Sequence, residues 1–322
     1  MNLRLSLLLL SLPLSTFLAT AQAVVNTQIE RNIPSDNYIR LNYGNDYFTA
    51  TDYYNTQNIL LEYTHPKLGL SPIFHTLYHP ETSEIIYGMA IEHNAYTPRK
   101  YERTEIQLGD RPFAGALFFK AFSIAKNITR NERITTSLSA GIVGQGAGAK
   151  QMQVFIHENT KNIIPQGWHN QVRNDVVLNY EMIYQRQLLA IDNFMCLSAD
   201  AMGRVGTLST KASVGLTIMA GYFQNPFATI NIKGRKIQFF AYDHPEVSVV
   251  GYDATLQGGL LNKKSPYIIE AGDITRFTFR NNWGLALKIG KVHLEYYQSF
   301  ITKEFNQGMD FRNGGIQIGW NL

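Results

Sequence analysis

Oxygen-bearing side chains are concentrated in the segment YGNDYFTATDYYNT, residues 43–56. Asn45, Asp46, Asp52 and Thr56 supply amide, carboxylate and hydroxyl oxygens there. A hard cation such as Ca²⁺ prefers such ligands and takes about six to eight oxygens, some of them from the backbone. Asn and Asp also favour turns, because their side chains bond to the nearby backbone. An ordinary turn is the more frequent result of such a pattern, and a metal site is the alternative.

A histidine lies in the segment GIVGQGAGAKQMQVFIHENTKNIIPQGWHNQ, residues 141–171. Within it, Lys150, Gln153 and His157 recur at spacings of three and four residues, which predicts a short helix with these side chains on one face. An imidazole can accept a proton from water near neutral pH, so His157 is a candidate general base. A lone histidine is more often a packed or capping residue, and that alternative stays open.

A third polar group, GDRP, occupies residues 109–112 and precedes an apolar run. Asp110 next to Arg111 most often makes a structural ion pair or a turn at the entrance to a strand, and contact of Arg111 with a phosphate is the alternative. Other hydrolase patterns are absent from the sequence. It contains no G-x-S-x-G segment for a nucleophilic serine, and no H-E-x-x-H or cysteine-based zinc pattern.

β-strands must position these residues, because runs of about 8 to 12 residues alternate between apolar and polar side chains. In YIRLNYG, for example, Ile39 and Leu41 alternate with Arg40 and Asn42. A further run near residues 291–303 competes for a place in the count. The twelve runs that we count lie near residues 38–44, 57–65, 84–94, 113–124, 133–143, 174–187, 193–204, 209–222, 234–242, 247–260, 274–290 and 314–322.

Such alternation occurs in two classes of all-β protein. In a soluble sandwich the apolar face covers a dry core, whereas in an outer-membrane barrel it faces lipid and the polar face lines the interior. The polar faces here carry Arg40, Glu62, Glu92 and Glu181, and many of the 18 Tyr and 18 Phe fall near the ends of runs, as in aromatic girdles. The sequence therefore predicts an all-β fold, a transmembrane antiparallel β-barrel of about 12 strands with a short helix in an extracellular loop.

The first residues, MNLRLSLLLLSLPLSTFLATAQA, are typical of a secretory signal peptide. We therefore expect residues 1–23 to be removed and residues 24–322 to form one barrel domain. The single cysteine, Cys196, excludes an internal disulfide. Beyond the leader, no run of about 18 or more apolar residues predicts a membrane helix. The formal net charge of +4 does not indicate a nucleic-acid partner.

The strand order predicts where the polar segments emerge. Bacterial barrels begin and end in the periplasm, so the connections after odd-numbered strands face outward. This rule places residues 45–56, 95–112 and 144–173 together at the outer rim. These are the three unusual stretches of the chain, and they contain the candidate residues described above.

At these three stretches the chain resembles the outer-membrane lipid A 3′-O-deacylase family. The resemblance lies in ND at residues 45–46, TDYYNT at 51–56, GDRPFAG at 109–115 and GIVGQGAGAKQMQVFIH at 141–157, followed by PQGW and Gln171. It implies a twelve-stranded outer-membrane barrel whose active site lies at the outer leaflet, between the barrel wall and a helix from an extracellular loop. It also implies calcium-dependent hydrolysis of the 3′-linked acyloxyacyl ester of lipid A.

The family's catalytic residues correspond by motif to Asn45, Asp46, Thr56 and His157. Our hypothesis is that His157 acts as general base on a water molecule, and that a Ca²⁺ ion held partly by Asp46 polarises the ester carbonyl. Asn45 and Thr56 would orient the water or the metal ligands by hydrogen bonds.

The resemblance also leads us to expect a basic residue of the second outer loop to contact the substrate. Arg99, Lys100 and Arg103 compete for this role, and Arg103 is favoured. Together with Lys150 it is a candidate for binding the phosphates of lipid A. The candidate substrate-binding residues are thus Arg103, Lys150, Gln153 and Arg111.

The expected partners are lipid A or lipopolysaccharide and the lipids of the outer membrane, with no nucleic acid and a monomeric barrel. The expected location is the outer membrane of a Gram-negative bacterium, with the active site facing the exterior. Two alternatives stay open. One is an outer-membrane phospholipase-like esterase, and the other is a non-catalytic porin or adhesion barrel, which has no reason to gather Asn45, Asp46, Thr56 and His157 at one rim.

Overall fold

The computed structural model describes residues 33, 35–50, 53–81, 83–230 and 235–322. Their twelve strands are β1 Tyr38–Asn45, β2 Tyr54–Thr64, β3 Glu84–Thr97, β4 Ala114–Asn127, β5 Glu132–Val143, β6 Asp175–Ile191, β7 Met195–Gly206, β8 Ser209–Tyr222, β9 Ile237–Asp253, β10 Phe277–Ile289, β11 Val292–Ile301 and β12 Phe311–Asn321. They form one closed antiparallel barrel, in which each strand pairs with its sequence neighbours and β1 pairs with β12. The predicted fold class is confirmed.

The helices of the described chain are short. Helix α1, Ala149–Thr160, lies in the connection after β5, as the spacing of its residues predicts, and α2, Ala254–Gln257, follows β9. A 3₁₀ helix, Asp46–Thr49, directly follows β1. Among the described residues, no helix is both long enough and apolar enough to span a bilayer.

The number of strands agrees with the sequence count, although two predicted boundaries are wrong. The runs near residues 234–242 and 247–260 belong to the single strand β9. The competing run near 291–303 is a strand in its own right, β11. The sequence-based count divided β9 into two strands and omitted β11, and these two errors cancelled in the total of twelve.

Pro245 explains the wrong boundary in β9. A proline has no backbone N–H and normally interrupts a ladder, so its presence predicts a break. In the barrel Pro245 pairs with Asn281 of β10, while the ladder with β8 is interrupted around it. The β8 partners jump from Gly215↔Glu246 to Ile218↔Asp243. Strand β9 thus continues past Pro245 because its ladder with β10 is unbroken there, and only the ladder with β8 is interrupted.

Side chains alternate between lipid and lumen as the sequence predicts. In β1, Ile39 and Leu41 are 41% and 47% exposed, whereas Arg40 and Asn42 are buried. The strands therefore present an apolar outer surface and a polar interior, which is the arrangement of an outer-membrane barrel.

Side chains occupy the lumen of the barrel. Buried ion pairs link neighbouring strands inside it, and a buried apolar cluster lies near the end of β1, with the rings of Tyr54 and Phe311 5.3 Å apart. The ion pairs are Arg40–Glu62 at 2.6 Å, Lys120–Glu92 at 3.0 Å and Arg204–Glu181. A filled lumen is unlike the aqueous channel of a porin, and this finding disfavours the pore alternative.

The connections after β1, β3 and β5 emerge at the same end of the barrel, because the strands are antiparallel and consecutive. The sequence-based prediction that the three unusual stretches share one rim is therefore confirmed. The predicted signal peptide, residues 1–23, lies outside the described residues, and so does Asp52.

Candidate active site

A cavity of about 740 Å³ lies at this rim, between the end of β1, the start of β2 and one face of α1. Asn45, Asp46, Thr56, His157 and Gln153 all line it. Asp46 and His157 are 111 positions apart in the sequence, yet they face the same space. The remaining lining residues are Tyr43, Tyr47, Phe48, Gln57, Ile156, Thr160, Lys161 and Asn162.

Asn45 holds the first wall of the cavity together. Its Oδ1 accepts a hydrogen bond from the backbone N–H of Tyr47 at 2.7 Å, which caps the 3₁₀ helix. Its Nδ2 donates to the backbone carbonyl of Thr56 at 2.5 Å, which ties the end of β1 to the start of β2. The resulting turn presents the Asp46 side chain to the cavity with only 2% of its surface exposed.

Thr56 reaches the cavity because of a β-bulge. The pairing of β2 with β3 shifts between Asn55 and Gln57, so Thr56 is an extra residue without a partner in the ladder. Bulges re-aim a side chain in this way, and they are frequent beside active sites. The Thr56 hydroxyl lies 2.6 Å from that of Thr97 at the end of β3, which fixes its orientation.

Helix α1 packs closely on the barrel wall. Gly115 of β4 permits this approach, because a Cβ there would lie only 2.6 Å from the Cβ of Ala149. The ring of His93 in β3 bonds through Nε2 to the carbonyl of Ala147 at 3.1 Å, just before the helix begins. The Gln57 amide contacts the sulfur of Met152. These contacts fix the helix that carries the candidate base.

His157 is held in one tautomer. Its Nδ1 lies 2.5 Å from the carbonyl oxygen of Ile163, a group that can only accept, so Nδ1 carries the proton. The edge of the ring packs against Tyr101, with centroids 5.6 Å apart. The Nε2 lone pair is thereby left to act as proton acceptor, which is what general base catalysis requires.

Gln153, one turn before His157, presents a fixed amide. Its Oε1 accepts a hydrogen bond of 2.6 Å from the indole N–H of Trp168, and both side chains are fully buried. This bond assigns oxygen and nitrogen in the amide. The opposite atom, Nε2, is buried and has no hydrogen-bond partner among the described residues. A buried, unpaired donor on a cavity wall is suited to bind an oxygen of a ligand.

Arg111 does not face the cavity, contrary to the prediction that it binds substrate. It is 1% exposed and forms a buried ion pair with Glu304, while its Nη2 donates to the Thr255 hydroxyl at 2.8 Å. Its guanidinium lies 4.3 Å from the ring centre of Tyr96. Burial lowers the pKa of Arg111, and the carboxylate of Asp253 opposes this effect. The alternative of a structural ion pair therefore describes Arg111.

We expect replacement of Arg111 by Met to lower the free energy of unfolding by about 3–5 kcal/mol, because it leaves the Glu304 charge buried without this partner. Urea unfolding of the purified barrel in detergent measures this effect. Arg103→Met is the matched control, since Arg103 is an exposed arginine of the same loop. Equal unfolding midpoints for the two variants would contradict the structural role of Arg111.

Arg103 and Lys150 are exposed and do not line the cavity. Lys150 belongs to the first turn of α1, seven residues before His157, which corresponds to about 10 Å along a helix axis. Lys150 therefore lies on the same face of α1 as His157, but about two turns away along the helix axis. The predicted helical face is thus correct for Gln153 and His157, and the structure does not bring Lys150 or Arg103 to the same wall.

A second group of potential metal ligands, Asp200, His244 and Glu246, lies inside the barrel. Their ligand atoms are within 4.8 Å of one another, and His244 Nε2 is 3.0 Å from Asp200. Lys211 and Arg280 interact electrostatically with Glu246, so a cation would compete with two built-in positive charges. None of these residues lines the cavity. The oxygen donors at the cavity are therefore the better fit to a calcium ion.

Several residues that shape the site were not singled out from the sequence. Ile163 and Tyr101 hold His157, His93 anchors α1, and Lys161 lines the cavity. Ile163 acts through its backbone carbonyl, for which side-chain type carries no information. The motif PQGW contains Trp168, and its indole N–H was the one feature from which a buried polar partner could have been expected.

Comparison with known proteins agrees with this architecture. The sequence profile of a family described as "Outer membrane protein LpxR" matches residues 6–322. The solved structure of LpxR from Salmonella typhimurium is similar, with a TM-score of 0.73 and 17% identity, covering 88% of this chain and 100% of that one. At this identity the likeness establishes the shared fold.

A weaker similarity is found to the β domain of the Bordetella autotransporter BrkA, with a TM-score of 0.44 and 7% identity over 88% of this chain and 97% of that one. No curated protein sequence matches the chain significantly.

Proposed function

The chain belongs to the family of the outer-membrane protein LpxR, and from this premise we propose that it is a carboxylic ester hydrolase acting on lipid A in the outer leaflet. The reaction is calcium-dependent hydrolysis of the 3′-linked acyloxyacyl ester. One observation carries the proposal: a buried carboxylate, Asp46, and a histidine with a free Nε2, His157, line the same cavity at the rim of an outer-membrane barrel.

His157 moves the proton in this reaction. Nε2 accepts a proton from a water molecule while the water oxygen attacks the ester carbonyl. The same proton is then given to the oxygen of the departing sugar hydroxyl, so the ester is replaced by a free fatty acid and an alcohol. The hydrogen bond from Nδ1 to the Ile163 carbonyl keeps the ring in the required tautomer and stabilises the positive charge that forms on it.

A calcium ion would be held partly by Asp46, because the donors around the cavity are a carboxylate, hydroxyls and amides, with no thiol among the lining residues. When bound, it would supply positive charge that polarises the ester carbonyl and stabilises the negative charge developing on its oxygen. Asn45 keeps Asp46 at the cavity by capping the turn that carries it. Thr56, fixed by Thr97, offers a hydroxyl to the attacking water or to the metal ligands.

Gln153 contacts the substrate through Nε2, whose orientation is set by the bond from Trp168 to the opposite amide atom. A buried donor of this kind favours a substrate with an oxygen in this position, since an apolar atom would leave the N–H unpaired. Tyr47, which is 81% exposed, together with Phe48 and Ile156, gives the cavity an apolar margin. This margin suits entry of acyl chains from the side of the bilayer.

The test is an analysis of lipid A by mass spectrometry in cells with and without the gene. We expect loss of the mass of the 3′ acyloxyacyl group in expressing cells, and no loss when the calcium is chelated. Purified protein offered lipid A and phospholipid side by side separates the two ester-hydrolysis hypotheses. Release of fatty acid from phospholipid alone would instead support the phospholipase-like esterase. Unchanged lipid A with calcium present would contradict the proposed function.

A further inference from the structure

One basic side chain lies among the residues that line the cavity in the described chain. Lys161 is the single Lys or Arg among the described lining residues. The basic residues predicted to hold phosphates do not reach this wall, since Arg111 is buried in its pair with Glu304 and Arg103 and Lys150 are exposed elsewhere. Lys161 is therefore the Lys or Arg side chain that an anionic group in the cavity can contact among the described lining residues.

The backbone of Lys161 has a conformation that favours other residues. At φ 55° and ψ 35° it is left-handed, at the end of α1. Glycine or asparagine is usual at this position, because a side chain with a Cβ is strained there. A lysine in such a position is conformationally unfavourable, and an outlier of this kind points to use of its side chain.

The same turn places Lys161 close to the candidate base in the fold. The backbone N–H groups of Lys161 and Asn162 both bond to the carbonyl of His157, the latter at 2.9 Å. The reversal also brings the Ile163 carbonyl to His157 Nδ1. Within the part of the chain that the structure describes, no carboxylate lies within ion-pair distance of the Lys161 ammonium. Its charge is thus available to a ligand in the cavity.

Resting on the function proposed above, we propose that the Lys161 ammonium binds the 4′-phosphate of lipid A. This phosphate is attached to the carbon next to the one that bears the scissile ester, so it enters the site together with the reacting group. Lysine binds phosphate as a point charge through charge-assisted hydrogen bonds. Lys161 is therefore a residue that determines specificity for the phosphorylated sugar.

A structural role for the charge is the competing explanation, because a cation near the end of a helix also interacts with the last carbonyl groups. The variant Lys161→Asn separates the two, since Asn tolerates the left-handed conformation while removing the charge. Lys161→Arg keeps the charge as the matched control, and Lys161→Gly removes the backbone strain. A purely structural role predicts that loss of the charge lowers the unfolding temperature and changes kcat and KM by the same factor on every form of lipid A.

The experiment measures kcat and KM of the purified wild type and variants on intact, 4′-dephosphorylated and 1-dephosphorylated lipid A. For the wild type we expect removal of the 4′-phosphate to raise KM by about 10- to 100-fold, the range of a hydrogen bond to a charged group. For Lys161→Asn on intact lipid A we expect a KM as high as that of the wild type on 4′-dephosphorylated lipid A, with little change in kcat. Removing the 4′-phosphate should then cause no further rise in the KM of this variant. Lys161→Arg restores the discrimination, and Lys161→Gly unfolds at no lower temperature than the wild type.

Two results would overturn the assignment of Lys161. One is a Lys161→Asn variant that distinguishes the 4′-dephosphorylated substrate as strongly as the wild type does. The other is a variant whose lost discrimination concerns the 1-phosphate. Absence of acyl release by the wild type from every form of lipid A is a different outcome, because it rejects the proposed hydrolysis itself.

Discussion

Replacing His157 with Asn is expected to lower kcat for release of the 3′ acyl chain by about 10²- to 10⁴-fold, the usual contribution of a general base. The Asn Nδ2 can still donate to the Ile163 carbonyl, so the local structure is retained while the proton-accepting Nε2 is lost. KM is expected to change little, because the base acts on water in the transition state rather than on bound substrate. Kinetics on purified lipid A, with products identified by mass spectrometry, measure both constants.

His169→Asn is the matched control for this variant. His169 lies in the same loop, and its Nδ1 also bonds to a backbone carbonyl, that of Gln166 at 3.2 Å, but it is exposed and does not line the cavity. Its replacement should leave kcat near the wild-type value. If His157→Asn also retained wild-type kcat, the assignment of the base would be wrong.

Replacing Asp46 with Asn is expected to lower kcat at least about a hundredfold, because a positioned cation supplies several kcal/mol of charge stabilisation and each 1.36 kcal/mol is tenfold. The neutral amide keeps the size of the side chain but is a weaker ligand for calcium. Calcium titration of activity should shift to higher concentration. Isothermal calorimetry of calcium with the barrel in detergent provides a readout that does not depend on turnover.

Two controls locate the calcium effect. Asp310→Asn removes an exposed carboxylate outside the cavity, one that accepts a hydrogen bond from the Lys303 backbone, and it should leave calcium binding unchanged. Asp200→Asn disrupts the buried group with His244 and Glu246. Loss of calcium binding in Asp200→Asn with retention in Asp46→Asn would move the metal into the lumen and contradict the role of Asp46.

The barrel and the common rim of its loops could be predicted from the sequence, because both follow from rules that act locally. Alternation with a period of two decides which side chains face lipid, and the antiparallel order then decides at which end each connection emerges. Helical spacing in residues 149–160 similarly predicts that Gln153 and His157 share a face. Pro245 shows the limit of local rules. It interrupts the ladder with β8 while the ladder with β10 continues through it, and the sequence around a proline does not say which of the two neighbouring ladders is interrupted.

The details of the candidate site depend on distant or backbone partners and could not be predicted in the same way. Thr56 faces the cavity because the ladder between β2 and β3 slips by one residue, and Arg111 is buried because Glu304 lies opposite it. His157 has a defined tautomer because a left-handed Lys161 turns the chain back. None of these arrangements leaves a pattern in the types of neighbouring residues.

The seam between β1 and β12 has a consequence for when the protein can act. Asn45, which caps the turn bearing Asp46, pairs across this seam with Gly314, so the first and last strands meet beside the candidate catalytic residues. Before the final strand is added, one edge of β1 has no partner and the turn is supported from β2 alone. We therefore expect the protein to hydrolyse lipid only after β12 has closed the barrel in the outer membrane. Lipids that the unfolded chain meets earlier during export would then not be hydrolysed.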